Sequence, residues 1–363
     1  MPQRGECVKT RRGVSRARIL KMKGFLSPSA KEDICDMVAL FKRASSLNFD
    51  KERFQMAVPV HIRIGGYSPP DTSHSRAMVL FREKMGQRLG DGVRTDIFWN
   101  VMDFGYGAPD LLAMVECGML GLCYFSTSYL ADRVPELEIV DLPFTFEDSA
   151  HAYGALDGAL GAHLSERIEA RTGYKSLGFW DNGFRHLSNS VRDVRTPDDC
   201  RGLRVRLQPN ETHVRTFELL GAEPVPVELK EGIAMIESGE VNAQENPLSN
   251  TVTYGVTNHQ RRITMSGHFY GARALLAHRE SFDAWPAEVQ EAARSCIREA
   301  IDYQREAAQA GEIAIRKRLE EEGVSFVDLS DAERAAFAEA TEPIRAEARE
   351  RLGSALFDLA MRK

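Results

Sequence analysis

Residues 179–209 read FWDNGFRHLSNSVRDVRTPDDCRGLRVRLQP, and this stretch decides how we assign the fold. It starts with the end of a strand predicted for Lys175–Trp180, which a loop follows. Thr196 and Pro197 then predict the start of a short helix, because threonine caps free backbone amides and proline is tolerated at the first helical position. Gly202 ends that turn, and a second strand follows at once. Strand and helix in so little sequence indicate an α/β architecture.

The second strand of this stretch carries two arginines. Leu203, Val205 and Leu207 alternate with Arg204 and Arg206, so the apolar side chains face one way and the guanidinium groups the other. A buried arginine has to be paired, and a carboxylate is its natural bidentate partner. From position alone, an acid of the protein and an acid of a ligand are equally good partners for Arg206.

Two further polar residues stand in similar settings. Arg185 follows a predicted strand, at a place where ligands bind in parallel sheets, although a solvated loop arginine is the simpler explanation. Asn246 lies in VNAQENPL (241–248), where Pro247 restricts the backbone and holds Asn246 extended, although a turn explains it equally well. Two guanidinium groups and an amide suit the capture of a small carboxylate better than bond-breaking chemistry.

Strands and helices alternate along most of the 363 residues. The predicted strands are Val58–Ile64, Thr95–Trp99, Val140–Leu142, Lys175–Trp180, Val225–Val227 and Val324–Leu329. The predicted helices are Ser75–Leu89, Pro109–Cys117, Ser149–Thr172, Glu211–Leu220, Lys230–Ser238, Pro286–Glu322 and one that starts after Ser330. This pattern predicts largely parallel sheets, and the length makes two lobes or domains the default. Residues 1–56 are weakly patterned and predict an extension, with a helix at Ala30–Ser45.

Composition excludes several classes of function. The net charge of −6 argues against nucleic acid as the main partner and gives no sign of a membrane-binding basic face. The six cysteines contain no C-x-x-C, so we expect no metal site, and Gly105-x-Gly107 lacks the register of a nucleotide loop, so we expect no cofactor. No apolar stretch is long enough to span a bilayer, and no apolar segment follows the basic N-terminus, so we expect no export signal.

Catalytic patterns are weak. His268, within SGHFYG (266–271), is the best candidate base, but a buried structural histidine is the more common outcome. No G-x-S-x-G motif occurs, and the chain is therefore predicted not to be an enzyme. Trp180 could stack on a ligand or belong to the core. The Gly65-Gly66-Tyr67 segment could approach a ligand or form a simple turn.

Three blocks together resemble the solute-binding proteins of TRAP (tripartite ATP-independent periplasmic) transporters, of the dicarboxylate-binding DctP type. They are residues 179–209, LLGAEPVPVELKEGIAMIESGEVNAQENPLSN (219–250) and SGHFYG (266–271). Weaker similarity is found in GGYSPPDTSHSRA (65–77) and ELEIVDLPFTFED (136–148), so the resemblance covers most of residues 57 to about 330. One departure is Asn242-Ala243, where the family usually has Asp-Gly.

The resemblance implies a hinged, two-lobed periplasmic-binding-protein-like α/β fold, with a ligand cleft between the lobes and a long helix that spans both. Lobe 1 would comprise residues 57–182 and 272–311, and lobe 2 residues 183–271 and 312–363. The family captures a small organic acid outside the inner membrane, in the periplasm, and its closed form docks onto the membrane permease subunits of the transporter. Which acid is bound stays open.

The resemblance also implies roles for individual residues. Arg206 would form a two-pronged salt bridge to the ligand carboxylate, with Arg185 as the second cation and Asn246 as the amide at the same end. Trp180, Gln208 and Tyr270 would shape the pocket, and the remaining ligand-binding candidates are Glu245, His268 and Tyr67. The alternatives are a cytoplasmic organic-acid sensor or regulatory protein with the same cleft, or an enzyme acting on an organic acid with His268 as base.

Overall fold

The structure is a computed structural model that describes residues 59–361. The extension predicted for 1–56, with its helix at Ala30–Ser45, lies outside the described residues. Within the described range the nine strands form a single sheet. They are β1 (Val60–Gly65), β2 (Val93–Phe98), β3 (Leu122–Ser126), β4 (Tyr174–Asn189), β5 (Arg204–Leu207), β6 (Glu223–Pro226), β7 (Ala243–Asn246), β8 (Arg262–His278) and β9 (Ser325–Asp328).

The helices flank this sheet. They are α1 (Ser73–Leu89), α2 (Asp110–Glu116), α3 (Glu138–Asp141), α4 (Ser149–Asp157), α5 (Ala159–Arg171), α6 (Glu211–Leu219), α7 (Leu229–Ser238), α8 (Leu248–Thr253), α9 (Arg279–Ala284), α10 (Ala287–Glu321), α11 (Asp331–Ala340), α12 (Glu342–Leu352) and α13 (Ser354–Ala360). Short 3₁₀ turns lie at Gly90–Gly92, Val101–Phe104, Thr127–Leu130, Pro135–Leu137, Pro197–Cys200 and Val256–Asn258. In the part of the chain that the structure describes, no helix combines the length and apolar character needed to cross a bilayer.

The sheet consists of two parallel groups joined by two long antiparallel strands. Its order is β2-β1-β3-β8-β4-β7-β5-β6, with β9 beside one part of β8. Strands β1, β2 and β3 run parallel, as do β5, β6 and β7, whereas β8 is antiparallel to β3 and β4 and β4 is antiparallel to β7. The prediction of largely parallel sheets is therefore correct within each group and wrong at the centre.

Strands β4 and β8 run through both groups. Residues 273–277 of β8 pair with β3, while residues 262–265 pair with β9, and residues 186–189 of β4 pair with β7. We call β1–β3, with the adjoining parts of β4 and β8, the first half of the sheet, and β5–β7 and β9, with the remaining parts, the second half. The β4–β8 register is irregular between Asp181 and Gly183 and between Arg185 and Leu187. Such bulges bend a strand, and Gly183 supplies the positive φ of 91° that one of them requires.

Each half has its own apolar core. Phe81, Leu275 and Ile297 belong to the larger cluster, in the first half, and Val205 and Phe217 belong to the second. Burial of such side chains supplies the main free energy of folding, at roughly 25 cal/mol per Å² of apolar surface removed from water.

The C-terminal helices pack differently from the lobe boundaries inferred from sequence. Ile344 of α12 and Leu356 and Phe357 of α13 belong to the apolar cluster of the first half. The lobe boundaries implied by the resemblance place the whole of 312–363 in the second lobe. The chain therefore returns to the first half after β9 and α11.

Helix α10 spans both halves, as predicted. Its 35 residues give a length of about 52 Å at 1.5 Å per residue. Ile297 and Ile301 belong to the core of the first half. Near the other end, Leu319 packs with Leu248 and Ile263 in a smaller cluster of the second half.

Three local predictions were wrong. The strand predicted at Val140–Leu142 is instead the end of helix α3 and the residue after it, because three buried residues are too few to show the periodicity that separates strand from helix. The helix predicted at Ser149–Thr172 is divided into α4 and α5 at Gly158. The strand predicted to end at Trp180 continues to Asn189, so Arg185 lies within a strand rather than at a junction between strand and loop.

Candidate functional site

A narrow cavity of about 30 Å³ lies where the two halves of the sheet meet. Its walls come from both halves and include Tyr67, Phe125, Tyr129, Arg206, Leu229 and Tyr254.

The structure brings together five of the nine residues that the sequence singled out. The cavity is lined by Tyr67, Arg185, Arg206, Gln208 and Asn246. The other four are buried behind the walls and do not line it: Trp180, Glu245, His268 and Tyr270.

Arg185 is held by a buried carboxylate. Its Nη2 donates to Glu245 Oε1 at 2.7 Å and to the Glu245 backbone oxygen at 2.9 Å, and its Nε donates to Oε2. Both side chains are buried, and Glu245 is 0% exposed. Burial by itself would raise the pKa of Glu245, but the charge and hydrogen bonds of Arg185 hold that pKa well below its usual range. Arg185 therefore lines the cavity as an arginine that is already paired with a carboxylate and held in position by it.

Further buried polar groups surround Glu245. His213 Nδ1 lies 3.8 Å from Oε1, and His268 Nε2 lies 3.6 Å from Oε2. His213 Nε2 in turn lies 3.5 Å from Asp141 Oδ1, which accepts a hydrogen bond of 2.6 Å from Ser128. This network extends from the second half of the sheet into the loops of the first half. Burial lowers the pKa of His268, with Glu245 opposing the shift. The ring contacts this network and does not line the cavity.

Arg206 projects from the short strand β5. Leu203, Val205 and Leu207 are fully buried, as the alternation predicted, and Arg206 lies on the opposite face at 4% exposure. Its Nη2 donates to the Val227 oxygen at 2.8 Å, and its Nε is buried without a hydrogen-bond partner. No carboxylate of residues 59–361 forms an ion pair with it within 4.0 Å. Burial raises the pKa of Glu228, and the charge of Arg206 opposes that shift, so Glu228 lies near Arg206 without forming a salt bridge to it.

A glycine leaves the space that the Arg206 side chain occupies. A Cβ atom on Gly232, in the first turns of α7, would lie 2.4 Å from Arg206 Nε and 2.9 Å from its Cγ and Cδ. Contacts below about 3.0 Å do not occur without displacement. The side chain of Arg206 can lie against this helix only because residue 232 has no side chain.

Asn246 belongs to a chain of amides. Its Nδ2 donates to Gln244 Oε1 at 2.7 Å, and its Oδ1 accepts from Asn250 at 3.3 Å. Asn250 Oδ1 accepts in turn from Arg273 Nη2 at 3.3 Å. Pro247, with φ of −59°, directs the chain from β7 into α8 and holds these groups in sequence.

Arg273 lines the cavity but was missed by the sequence analysis. It is 2% exposed, and its guanidinium lies over the rings of Tyr67, at 4.8 Å, and Tyr124, at 5.4 Å. Its Nε and Nη1 are buried with no hydrogen-bond partner. The signal was present, since an arginine interrupts the apolar strand GARALLAH (271–278), and the argument used for Arg206 would have selected it.

The aromatic candidates support the walls from behind. Trp180 packs against His74, at 5.7 Å, and Tyr124, at 5.2 Å between ring centroids. Tyr270 makes an edge contact of 5.4 Å with Phe184, and burial followed by the nearby charge of Asp181 raises its pKa well above the usual value. These rings shape the cavity only through their neighbours.

Residues 64–351 match the family model described as bacterial extracellular solute-binding protein, family 7 (DctP). A solute-binding protein of Verminephrobacter eiseniae is 29% identical over 303 residues, which cover 83% of this chain and 89% of the relative. The 2,3-diketo-L-gulonate-binding periplasmic protein YiaO of Escherichia coli is 30% identical over 280 residues, which cover 77% of this chain and 84% of the relative.

Solved structures show the same fold. The sugar acid binding protein DctPAm from Advenella mimigardefordensis, in complex with galactonate, superposes with a TM-score of 0.78 at 27% identity, covering 83% of this chain and 98% of that one. A TRAP periplasmic solute binding protein from Sulfurospirillum deleyianum with bound succinate gives a TM-score of 0.77 at 25% identity, covering 84% and 99%. The predicted resemblance to TRAP solute-binding proteins is confirmed. The chain belongs to the DctP family of bacterial extracellular solute-binding proteins and has their two-lobed α/β fold.

Proposed function

We propose that this protein captures a small organic acid by its carboxylate in the cavity between the two halves, and presents it to the permease subunits of a TRAP-type transporter. The observation that carries the proposal is Arg206, a buried arginine in the cavity wall with no ion pair to the described residues. Relatives are described as binding galactonate, succinate and 2,3-diketo-L-gulonate. Each of these ligands has a carboxylate, which is the group that could form an ion pair with Arg206.

The physical argument concerns desolvation. A carboxylate loses its hydration shell when it enters a closed cavity, and this is costly unless fixed donors replace the water. Arg206, Arg185 and Asn246 line the cavity, and their positions are fixed by the contacts described above. A charge-assisted hydrogen bond contributes roughly 1.5–3 kcal/mol.

Ligand binding would favour a closed arrangement of the halves. A ligand shifts such an equilibrium only when it binds one arrangement better, and contacts from both halves provide that preference. Strands β4 and β8, which join the halves and are bent by bulges, are the proposed hinge. The proposed moving units are residues 57–182 with 272–311 and residues 183–271 with 312–340, and α12 and α13, which pack on the core of the first half, would move with the first unit.

The test is calorimetric titration of organic acids into the wild-type protein and two variants. Arg206→Ala removes the proposed anchor and should weaken binding of the cognate acid about ten- to a hundredfold. Arg204→Ala, two residues away on the same strand, is the matched control and should bind like the wild type. Unchanged affinity in Arg206→Ala, or equal losses in both variants, would contradict the proposal.

Two further measurements address the location and the absence of catalysis. Fractionation of native cells should find the protein in the periplasm, as expected for a family of extracellular binding proteins, and a cytoplasmic location would favour a sensor. Chromatography of the released ligand should recover the acid unchanged. A converted product would instead indicate an enzyme.

A further inference from the structure

We propose that Glu228 takes up a proton when the carboxylate of a ligand binds Arg206, so that capture of the acid is linked to proton uptake from the solvent. This inference rests on the proposed function, because it assumes that Arg206 binds a carboxylate. It goes further by assigning to Glu228 the control of how the affinity for the acid depends on pH.

The first observation is that Glu228 lies beside the guanidinium group of Arg206. Residue 228 directly precedes α7, and its backbone oxygen accepts from the Gly232 N–H at 2.8 Å. Arg206 contacts residues on both sides of this position. Its Nη2 donates to the Val227 oxygen at 2.8 Å, and its side chain fills the space left free at Gly232. The charge of Arg206 therefore acts on the Glu228 carboxyl, although no salt bridge joins the two groups.

The second observation is that each of these two groups has a buried atom that remains unpaired. Oε2 of Glu228 and Nε of Arg206 are buried, and neither has a hydrogen-bond partner among residues 59–361. A buried, ionised carboxylate oxygen without a partner is costly, and a proton removes most of that cost. Burial accordingly raises the pKa of Glu228, whereas the charge of Arg206 opposes the rise.

The third observation is that two further groups that act on Glu228 come from the first half of the sheet. Tyr129, in the 3₁₀ turn after β3, lines the cavity, and its hydroxyl donates a hydrogen bond that lowers the pKa of Glu228. Asp110, the first residue of α2, is 6% exposed, and its negative charge raises that pKa. On α7 itself, Lys230 and Glu231 are exposed. Glu228 therefore lies where the two halves come together at the cavity.

A bound carboxylate changes this balance of charge. In the ligand-free protein the positive charge of Arg206 supports the ionised form of Glu228. A ligand carboxylate that pairs with Arg206 cancels this support and places a second negative charge nearby. Both effects favour the neutral form of Glu228, because like charges in one buried site disfavour each other's ionised state. The proton comes from the solvent and adds to the Glu228 carboxylate.

The sign of the pH dependence follows from this linkage. Because binding raises the pKa of Glu228, the proton-linked affinity is fully present below the pKa of the ligand-free protein. It is lost as the pH rises through the higher pKa of the complex. Between these two values the affinity should fall by up to about tenfold per pH unit. The lower value is already raised above the ordinary 4.5, so the range from about pH 5 to about pH 8 is the one to measure.

The test is calorimetric titration of the full chain in two buffers with different enthalpies of ionisation, PIPES and imidazole, which counts the protons taken up on binding. The probe is whichever of succinate, galactonate and 2,3-diketo-L-gulonate binds the wild type most tightly. At about pH 6.5 we expect uptake of about 0.3–1 proton per bound acid. The affinity should also fall as the pH rises.

Glu228→Gln is the deciding variant, because its side chain is neutral at every pH. It should abolish the uptake and make the affinity independent of pH in this range. At about pH 8 it should bind up to about tenfold more tightly than the wild type, which a merely structural role of Glu228 would not produce. Glu231→Gln is the matched control, exposed on the same helix, and should show wild-type uptake.

A second variant keeps the test decisive if Glu228→Gln does not fold. Tyr129→Phe removes a hydrogen bond that favours the ionised form of Glu228, so the fall in affinity should move to higher pH.

The outcomes separate this inference from the proposed function. Binding without proton uptake, equal uptake in the wild type and Glu228→Gln, or an unchanged pH profile in Tyr129→Phe would overturn the role of Glu228 alone. Binding that Arg206→Ala does not weaken, or no binding of any of the three acids, would overturn the proposed function and this inference with it.

Discussion

Two buried arginines on neighbouring central strands, Arg185 of β4 and Arg273 of β8, differ in what surrounds them. Arg185 directs Nε and Nη2 at the carboxylate of Glu245, which is itself completely buried. Arg273 has two tyrosine rings and one amide oxygen. The first environment satisfies its arginine from within the protein, and the second does not. Burial alone therefore does not identify a ligand-binding arginine. The useful criterion is whether a buried arginine has a carboxylate partner within the protein.

The largest expected effect comes from removing one partner of the buried Arg185–Glu245 ion pair. Glu245→Gln removes the counter-charge of Arg185 and leaves that charge buried and unpaired. Removal of one partner of a buried ion pair costs about 3–5 kcal/mol in free energy of unfolding. Urea denaturation monitored by circular dichroism would measure it, and a loss below about 1 kcal/mol would show that the pair is not structural. Replacing both partners, with Arg185→Met and Glu245→Met, should recover part of the loss.

The next effect concerns Arg206 and acts on binding. Gly232→Ala would place a Cβ atom 2.4 Å from Arg206 Nε, so the guanidinium has to move. We expect affinity for the cognate acid to fall about tenfold, which is about 1.4 kcal/mol. The control is Gly311→Ala in α10, where a Cβ would meet no atom within 4 Å and binding should not change. Wild-type affinity in Gly232→Ala would mean that the position of Arg206 does not matter.

An effect of similar size should appear when the pH is lowered, because protonation of Glu245 removes the charge that pairs with Arg185. The pKa of Glu245 is 4.5 in the unfolded chain and lies well below that in the folded protein. Its contribution to stability is therefore fully present above pH 4.5 and is lost as the pH falls towards the folded pKa. At about pH 3.5 the loss from this group should reach about 1.4 kcal/mol. Urea titrations from pH 7 downward should show this extra decline in the wild type and not in Glu245→Gln.

The smallest expected effect is the change in free energy of unfolding when Arg273 is replaced. Arg273→Met replaces a charge that has no ion-pair partner among residues 59–361, so no carboxylate is left unpaired. The lost cation–π contacts are offset by the burial of an apolar side chain, and the free energy of unfolding should change by about 1 kcal/mol or less. Thermal and urea unfolding of the ligand-free protein would measure it. A loss as large as that of Glu245→Gln would make Arg273 structural, like Arg185.

The sequence predicted the cavity from its second half more completely than from its first. Arg206 and its apolar neighbours were predicted by the period of two, and the resemblance separated Arg206 from Arg204. Arg273 has the same setting but follows directly after the last matching block, SGHFYG, so no resemblance supported it.

Alternation could not be extended along β4, for a physical reason. The register shift between Asp181 and Gly183 changes which face each later side chain points to, so Trp180 and Arg185 cannot be related by counting residues. The shift depends on a positive φ at Gly183. A glycine allows this conformation, but the sequence alone does not show that the residue adopts it. The burial of Trp180 and Tyr270 behind the walls follows from tertiary packing that short-range patterns do not contain.

Because β4 and β8 pass through both halves of the sheet, cleavage of the chain between the halves should not make them dissociate. A protease that cuts after Val191, which is 44% exposed beyond the end of β4, would separate β1–β4 from β5–β9 in the covalent chain. The fragments would still share the long β4–β8 ladder and the β3–β8 pairing, so the nicked protein should stay assembled. The proposed closure would tilt the two halves against each other, but because they share these strands neither should fold when expressed alone.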